Sequence, residues 1–212
     1  MNDLSWLRSR GYAEPSALKL VGDRYQLRQR QRVAVGRCAC AEACRVARAA
    51  KRVQAADVEG RVLAIDGLNV VTTIEVALAR GVLLLGRDQC MRDMASFHGS
   101  YRLVHETKPA LTILVDLVRA LRPTHTVVYI DRPVSNSGRL AEALRAAARA
   151  GEVGLEAETA DDVDGTLKRA EGVVASADSA ILDVCGAWLP LARLAVERHR
   201  DAMPPLWLVD LS

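Results

Sequence analysis

The chain has 212 residues, half of them hydrophobic and 26% charged, with a net charge of +3. That balance excludes a disordered chain, a collagen-like repeat and a disulfide-framed miniprotein, and the length suits one domain or one domain with a helical extension. The charge is unevenly placed: residues 1–60 carry +6, residues 61–150 carry +4 and residues 151–212 carry −7.

A basic front and an acidic back are compatible with a polyanionic partner. The basic side chains are 25 Arg against 4 Lys, a bias that a GC-rich genome also produces. No apolar run approaches the ~18 to 20 residues of a membrane span. Met1 to Trp6 lacks the basic and apolar regions of a signal peptide. Five cysteines, an odd number, point to reduced thiols and a cytoplasmic protein. Cys38, Cys40 and Cys44 form a C-x-C-x3-C cluster, but no histidine or second cysteine pair follows at metal-ligand spacing. They read as small residues on a helix.

In chain order, residues 1–60 read as a helical element. Leu4 and Leu7, then Ala17, Leu18, Leu20 and Val21, recur at helical spacing, with a break at Arg10-Gly11-Tyr12 and Pro15 opening the second helix. One long basic helix is expected from Gln26 to Arg52. It presents either a solvated face or a phosphate-contacting one. After Gly60 the pattern changes. Strands are expected at Arg61–Ile65, Val82–Leu85, Thr126–Ile130, Val153–Ala157, Gly172–Ala175 and, as an edge, Leu206–Val209. Helices are expected at Asn69–Arg80, Thr107–Leu121, Asn136–Ala150, Asp161–Arg169, Ala180–Cys185 and Leu189–Arg198. Arg87 to Tyr101 reads as irregular or short helical. This alternation predicts an α/β domain over residues 61–212, its sheet mostly parallel with helices on both faces.

Three strand runs end in aspartate: Asp66, Asp131 and Asp178. In open α/β sheets ligands bind beyond the C-terminal strand ends. Carboxylates gathered there repel one another, and a hard divalent cation relieves that repulsion, which suggests Mg²⁺ or Mn²⁺. A fourth carboxylate comes from Asp161-Asp162-Val163-Asp164. Each aspartate has a plainer role as a helix N-cap. The segment Asp131 to Arg139 adds Arg132 and Arg139 as phosphate contacts, and Ser135, Asn136 and Ser137 either cap the next helix or offer its N–H groups to an anion. Ser176 and Ser179 flank Asp178 as orienting hydroxyls or caps. Asp88, Asp93, His98 and Tyr101 lie in the irregular stretch, and Glu75 and Asp183 are weaker acidic candidates.

Ile65-Asp66-Gly67-Leu68-Asn69 resembles the first-strand motif of the PIN-like nucleases, particularly their NYN branch. Asp131, the Asp162/Asp164 segment and Val173 to Ser179 follow in that superfamily's order. The resemblance spans roughly residues 61–185 and implies a PIN-like, Rossmann-like fold and metal-dependent phosphodiester hydrolysis. It implies Asp66, Asp131 and Asp178 as metal ligands, Asp162 or Asp164 as the fourth acid and Asn69 as a supporting polar group. The second acidic position stays open among Asp88, Asp93 and Asp131. At closer range the chain resembles the domain of unknown function 434 family through Arg10 to Tyr12, Ser16 to Gly22, Arg30 to Arg32, Asp66 to Asn69, Arg92-Asp93 and Asp131 to Arg139. The expected function is a nuclease, with RNA rather than DNA as substrate, no membrane partner and self-association left open. The alternatives are a non-catalytic nucleic-acid-binding or adaptor protein and a small-substrate phosphohydrolase.

Overall fold

The computed structural model describes residues 1–95 and 100–212. The N-terminal helices are α1 (Asn2–Ser9), α2 (Glu14–Arg24), α3 (Gln29–Cys38) and α4 (Glu42–Lys51). The single helix expected from Gln26 to Arg52 is therefore two. The chain turns extended at Ala39 (φ −82°, ψ 141°), and the carbonyls released there find donors elsewhere. Arg87 N–H donates to Cys38 O at 3.0 Å, Arg8 Nη1 to Ala39 O at 2.7 Å and Arg87 Nη1 to Cys40 O at 3.3 Å. A helix break is tolerated when its orphan groups are satisfied in this way. The three clustered cysteines thus fall on a helix end, a corner and the next helix, and all five cysteines are free thiols.

The remaining elements, in chain order, are β1 (Val62–Asp66), α5 (Gly67–Leu78), β2 (Val82–Leu85), β3 (Met91–Asp93), α6 (Thr107–Leu121), β4 (His125–Asp131), α7 (Ser137–Ala150), β5 (Glu156–Ala160), α8 (Val163–Arg169), β6 (Val173–Ala175), α9 (Ser179–Leu182), α10 (Leu191–Arg198) and β7 (Trp207–Asp210). Four strands form a parallel sheet in the order β5-β4-β1-β6. Side chains alternate between its faces, as a sheet covered on both sides requires. Leu63, Ile65, Val173 and Ala175 pack into one core with Val71 and Ile74 of α5, Leu114 of α6, Leu144 of α7 and Val196 of α10. Ala64 and Val174 pack into a second with Val163, Leu167, Ile181, Leu182 and Trp188. Each fully buried aliphatic side chain contributes roughly 1.5–3 kcal/mol.

The other strands depart from the expected single sheet. They form a separate one ordered β3-β2-β7. The turn between β2 and β3 is closed by Gly86 N–H donating to Cys90 O at 2.9 Å, and so short a connection permits only antiparallel pairing. The stretch expected to be irregular therefore contains a strand that carries Asp93. β7 is a parallel edge strand beside β2.

β1 lies between β4 and β6, which places the C-terminal ends of all three side by side. Asp66 is level with Tyr129, and Ile65 is level with Val128 and Ala175. α5 follows β1 without a loop. A Cβ on Gly67 would sit 2.8 Å from Val128 Cγ1 and 2.9 Å from Tyr129 O, so glycine is what lets this helix start hard against β4.

The N-terminal helices keep a small core of their own (Leu4, Leu7, Ala17, Val21 and Ala39) and dock through polar contacts. Trp188 Nε1 donates to Arg48 O at 2.7 Å, and Lys51 Nζ donates to Leu182 O at 2.7 Å. Among the described residues no helix is long and apolar enough to cross a membrane.

Candidate functional site

The parallel strand ends open into a cavity of about 470 Å³. Its floor carries Asp66, Asn69, Asp131, Asp178 and Ser179, one side carries Thr72, Thr73, Arg92 and Asp93, and the N-terminal helices close it with Arg8, Glu14, Gly36 and Arg37. Five carboxylates face three guanidinium groups, and one of these, Arg92, is already neutralised by Asp88 through bonds of 2.7 Å to each of its oxygens.

Asp66 is 7% exposed. Its Oδ1 accepts from Asn69 N–H at 3.3 Å as the N-cap of α5, and its Oδ2 accepts from Ser176 Oγ at 2.8 Å. Both the capping role and a place at the site are therefore realised in one side chain. Burial pushes its pKa up to about 7. The two hydrogen bonds oppose that rise, while the charges of Asp131 and Asp178 add to it. Burial also raises Asp131, with Asp164 adding to the effect, and burial together with Asp178 raises Asp164. These carboxylates thus sense one another's charge. Asn69 Oδ1 accepts from Ala177 N–H at 3.0 Å, and Ser176 Oγ accepts from Asp178 N–H at 3.0 Å. These bonds fasten the β6–α9 loop to the start of α5. Asp178 itself caps α9, its Oδ1 accepting from Ala180 N–H at 2.6 Å.

Asp93 ends β3 and is buried to much the same degree as Asp66. Its Oδ2 accepts from Thr73 Oγ1 at 2.9 Å and its Oδ1 from Ala95 N–H at 2.7 Å, and burial raises its pKa. Asp88 faces Arg48 and Arg92 instead.

Other predicted residues are placed elsewhere. Asp162 caps α8, accepting from Gly165 N–H at 2.8 Å, and does not line the cavity. Asp164, two residues on, does not line the cavity either, but its charge raises Asp131 and that of Asp178 raises it. Arg132 is tied to Asp161 at 2.7 Å and to Thr159 O at 2.8 Å. Asn136 takes a left-handed conformation (φ 64°) and donates to Tyr101 O at 2.7 Å, so it makes no side-chain cap on α7. Ser137 Oγ donates to Arg132 O at 3.2 Å, Ser135 bridges to Ser100, and Arg139 is exposed on α7. The polar side chains Arg132, Asn136 and Ser137 are engaged with Asp161, Thr159, Tyr101 and the turn itself, and of this segment only Asp131 and Val134 line the cavity. Ser179 Oγ accepts from Arg48 Nη1 at 3.2 Å, and Arg48 Nε meets Asp183 at 2.7 Å. Glu75 is buried away from the cavity, accepting from Tyr101 Oη and Thr107 Oγ1. His98 lies outside the described residues.

Arg8 and Thr72 are not legible as site residues, and Arg37 is so only as one of many on the basic helix whose face reads as solvated or phosphate-contacting. Thr72 follows Asn69 by one helical turn, a spacing that points both to one face. Nothing local marks the two arginines among 25.

The carboxylates that line the cavity offer the hard oxygen donors a divalent cation takes, and Asp66, Asp93 and Asp131 among them have raised pKa. Among the described residues no group of three or more His, Cys, Asp or Glu is placed to hold one metal ion. Mg²⁺ commonly takes one or two protein carboxylates and completes its shell with water and substrate phosphate, so the floor fits that mode rather than a closed cage.

Residues 1–51 match the family model described as Protein of unknown function (DUF434), and residues 55–194 match the one described as Domain of unknown function (DUF5616). An uncharacterized protein of Methanocaldococcus jannaschii is 28% identical over 180 residues, covering 85% of this chain and 86% of its own length. No solved structure matches the chain. With two thirds of its length inside that model, the chain belongs to the DUF5616 family.

Proposed function

We propose that the chain is a cytoplasmic, PIN-like, Mg²⁺- or Mn²⁺-dependent nuclease acting on RNA. The observation that carries this reading is that Asp66 and Asp131 at strand ends and Asp178 at the start of α9 line one cavity together with arginines of the N-terminal helices. The order of those aspartates and the Asp66 to Asn69 motif support the PIN-like identity. One or two of Asp66, Asp131 and Asp178 would hold the cation directly, as Mg²⁺ does with few protein carboxylates, and Asp164, whose charge acts on Asp131, would replace Asp162 as the further acid. When bound, such an ion supplies Lewis-acid chemistry, easing formation of hydroxide from water and neutralising charge on the phosphate.

The chain's own residues do the positioning. Ser176 and the Asn69 N–H aim the two oxygens of Asp66 in different directions. The Asn69 side chain and Ser176 hold the loop bearing Asp178. Arginines of the N-terminal wall face the substrate's phosphates. This arrangement places reacting groups before the substrate arrives, where geometry contributes most to rate.

Asp66→Asn and Asp178→Asn should each abolish Mg²⁺- or Mn²⁺-dependent cleavage of single-stranded RNA while circular dichroism and melting show an intact fold. Full activity in both variants sinks the assignment. Among the described residues no three carboxylates are placed to hold one ion, and the second reading is a non-catalytic RNA-binding protein on the same scaffold. RNA binding without metal-dependent turnover would select it.

A further inference from the structure

The two sheets have four outer edges, and three of them are guarded. Beside β6, Val174 N–H donates to Ala187 O and Leu189 N–H donates to Val174 O, each at 2.9 Å. On β5, Glu156 and Glu158 are exposed, and charge on an edge strand discourages pairing. On β3, Arg37 Nη1 donates to the Asp93 carbonyl at 2.7 Å. β7 carries no such guard. All four of its residues are exposed, Trp207 at 63%, Leu208 at 39% and Val209 at 36%. Among the described residues only β2 pairs with it. An apolar edge strand left open in this way is a template for another strand.

The hydrogen bonds to β2 fix which groups that strand would meet. Leu211 N–H donates to Leu85 O at 2.9 Å. Main-chain groups of successive strand residues point to opposite sides. Those of Val209 and Trp207 therefore also turn to β2, and those of Leu208 and Asp210 turn outward. An antiparallel neighbour must bring outward groups against outward groups. If the neighbour is the same strand, a two-fold axis at Leu208 makes Leu208 and its copy a hydrogen-bonded pair. Trp207 then lies opposite Val209 of the second copy, twice, in the closer non-hydrogen-bonded position. Aromatic and β-branched residues pair favourably there, and the register that sets Trp207 opposite Asp210 is out of phase.

We propose that β7 is a self-association surface on which two copies of the chain pair antiparallel about a two-fold axis, joining their three-stranded sheets into one of six strands. A second copy is the fitting occupant because the strand's own phase and side-chain order complete the pairing, and a two-fold contact closes on itself. No residue of β7 lines the cavity, so the contact is separate from the candidate site. A fully covered Trp buries about 150–250 Å² and the other two side chains less, so the contact falls below the ~1,200 Å² of a stable standard interface. The dimer is weak and depends on concentration.

The test is sedimentation velocity of the full-length protein over a concentration series, with melting curves alongside. Wild type should pass from monomer to dimer as concentration rises. Trp207→Lys should weaken the dimer at least about tenfold, because two cross-strand pairs are lost and a charge is placed on the edge, with Tm unchanged. Leu208→Pro removes an outward N–H and should abolish the dimer with little change in Tm, whereas Val209→Pro removes a bond to β2 and should melt lower. Leu208→Cys should give a disulfide-linked dimer on mild oxidation, since hydrogen-bonded antiparallel pairs set their Cα atoms about 5.5 Å apart, and Trp207→Cys should not. A chain that stays monomeric at every concentration overturns the proposal and leaves the edge to a strand of another protein. A dimer that both Trp207→Lys and Leu208→Pro leave intact overturns it as well, and cross-linking through Trp207→Cys but not Leu208→Cys overturns the register.

Discussion

Arg48 Nη1 lies 2.6 Å from Asp88 Oδ2, and each side chain is 1% exposed. One residue comes from the N-terminal helices and the other from the turn between β2 and β3. Arg92 meets the same carboxylate with two bonds of 2.7 Å and donates from Nε to Ala177 O at 2.9 Å, while Arg48 also reaches Ser179. This buried cluster fastens the helical element to the sheet domain and grips the loop that carries Asp178 from behind.

Asp88→Asn leaves two guanidinium groups buried without their shared anion. Breaking a buried ion pair on one side typically costs about 3–5 kcal/mol, and a urea titration should show a loss of that order. A change below about 1 kcal/mol would mean the cluster does not hold the two parts together.

Burial by itself would raise the Asp88 pKa, but the Arg92 hydrogen bonds and the charges of Arg92 and Arg48 outweigh it and hold the carboxyl below its ordinary value. A depressed folded-state pKa gives stability that is full above the unfolded value of about 3.9 and is lost as pH falls through the lower folded value. Glu75 has the opposite sign. Burial raises its pKa despite the bonds from Thr107 and Tyr101, so its contribution is present at low pH and is lost as pH rises past about 4.3. Glu75→Gln keeps an acceptor for both hydroxyls and should be at least as stable as wild type at pH 7. Asp88→Asn should flatten the acid limb of the unfolding curve below about pH 4. Identical acid limbs would refute the Asp88 account.

A cation bound at the carboxylate floor stabilises the folded chain by mass action, by about 2.7 kcal/mol at a hundredfold excess over its Kd. Mn²⁺ should raise the wild-type Tm and a chelator should return it, while Asp66→Asn should show little response. An equal shift in wild type and variant would place the ion elsewhere.

Ser176→Ala removes the donor to Asp66 Oδ2 and the acceptor for Asp178 N–H. On the proposed nuclease reading, with no direct contact to substrate implied, kcat should fall about tenfold for roughly 1.4 kcal/mol of lost positioning, with KM little changed. Ser176→Thr should restore part of it. A KM effect alone would assign Ser176 to substrate binding.

Gly67→Ala forces a methyl into the 2.8–2.9 Å gap against Val128, Ile130 and Tyr129 O. Overpacking of this kind costs about 1–3 kcal/mol, readable as a lower denaturation midpoint. Wild-type stability would mean α5 moves off β4 freely.

The sequence by itself determined most of the elements and the strand-end placement of Asp66 and Asp131. Those signals are local: short continuous apolar runs ending in aspartate, amphipathic helices such as Thr107–Leu121, and glycine or proline stops. Tertiary structure decided the rest, because the deciding partners are far apart in the chain. The carbonyls at Cys38 to Cys40 are satisfied by Arg8 and Arg87, so the long basic helix breaks. The turn after β2 splits off a second sheet and brings Asp93 to the cavity. Asp162 and Asp164 are indistinguishable in sequence, yet the start of α8 makes one a cap and leaves the other to sense Asp131 and Asp178. Arginine composition gave a net charge and a bias, and only packing separated Arg48, buried against Asp88, from Arg37, fixed at the cavity wall.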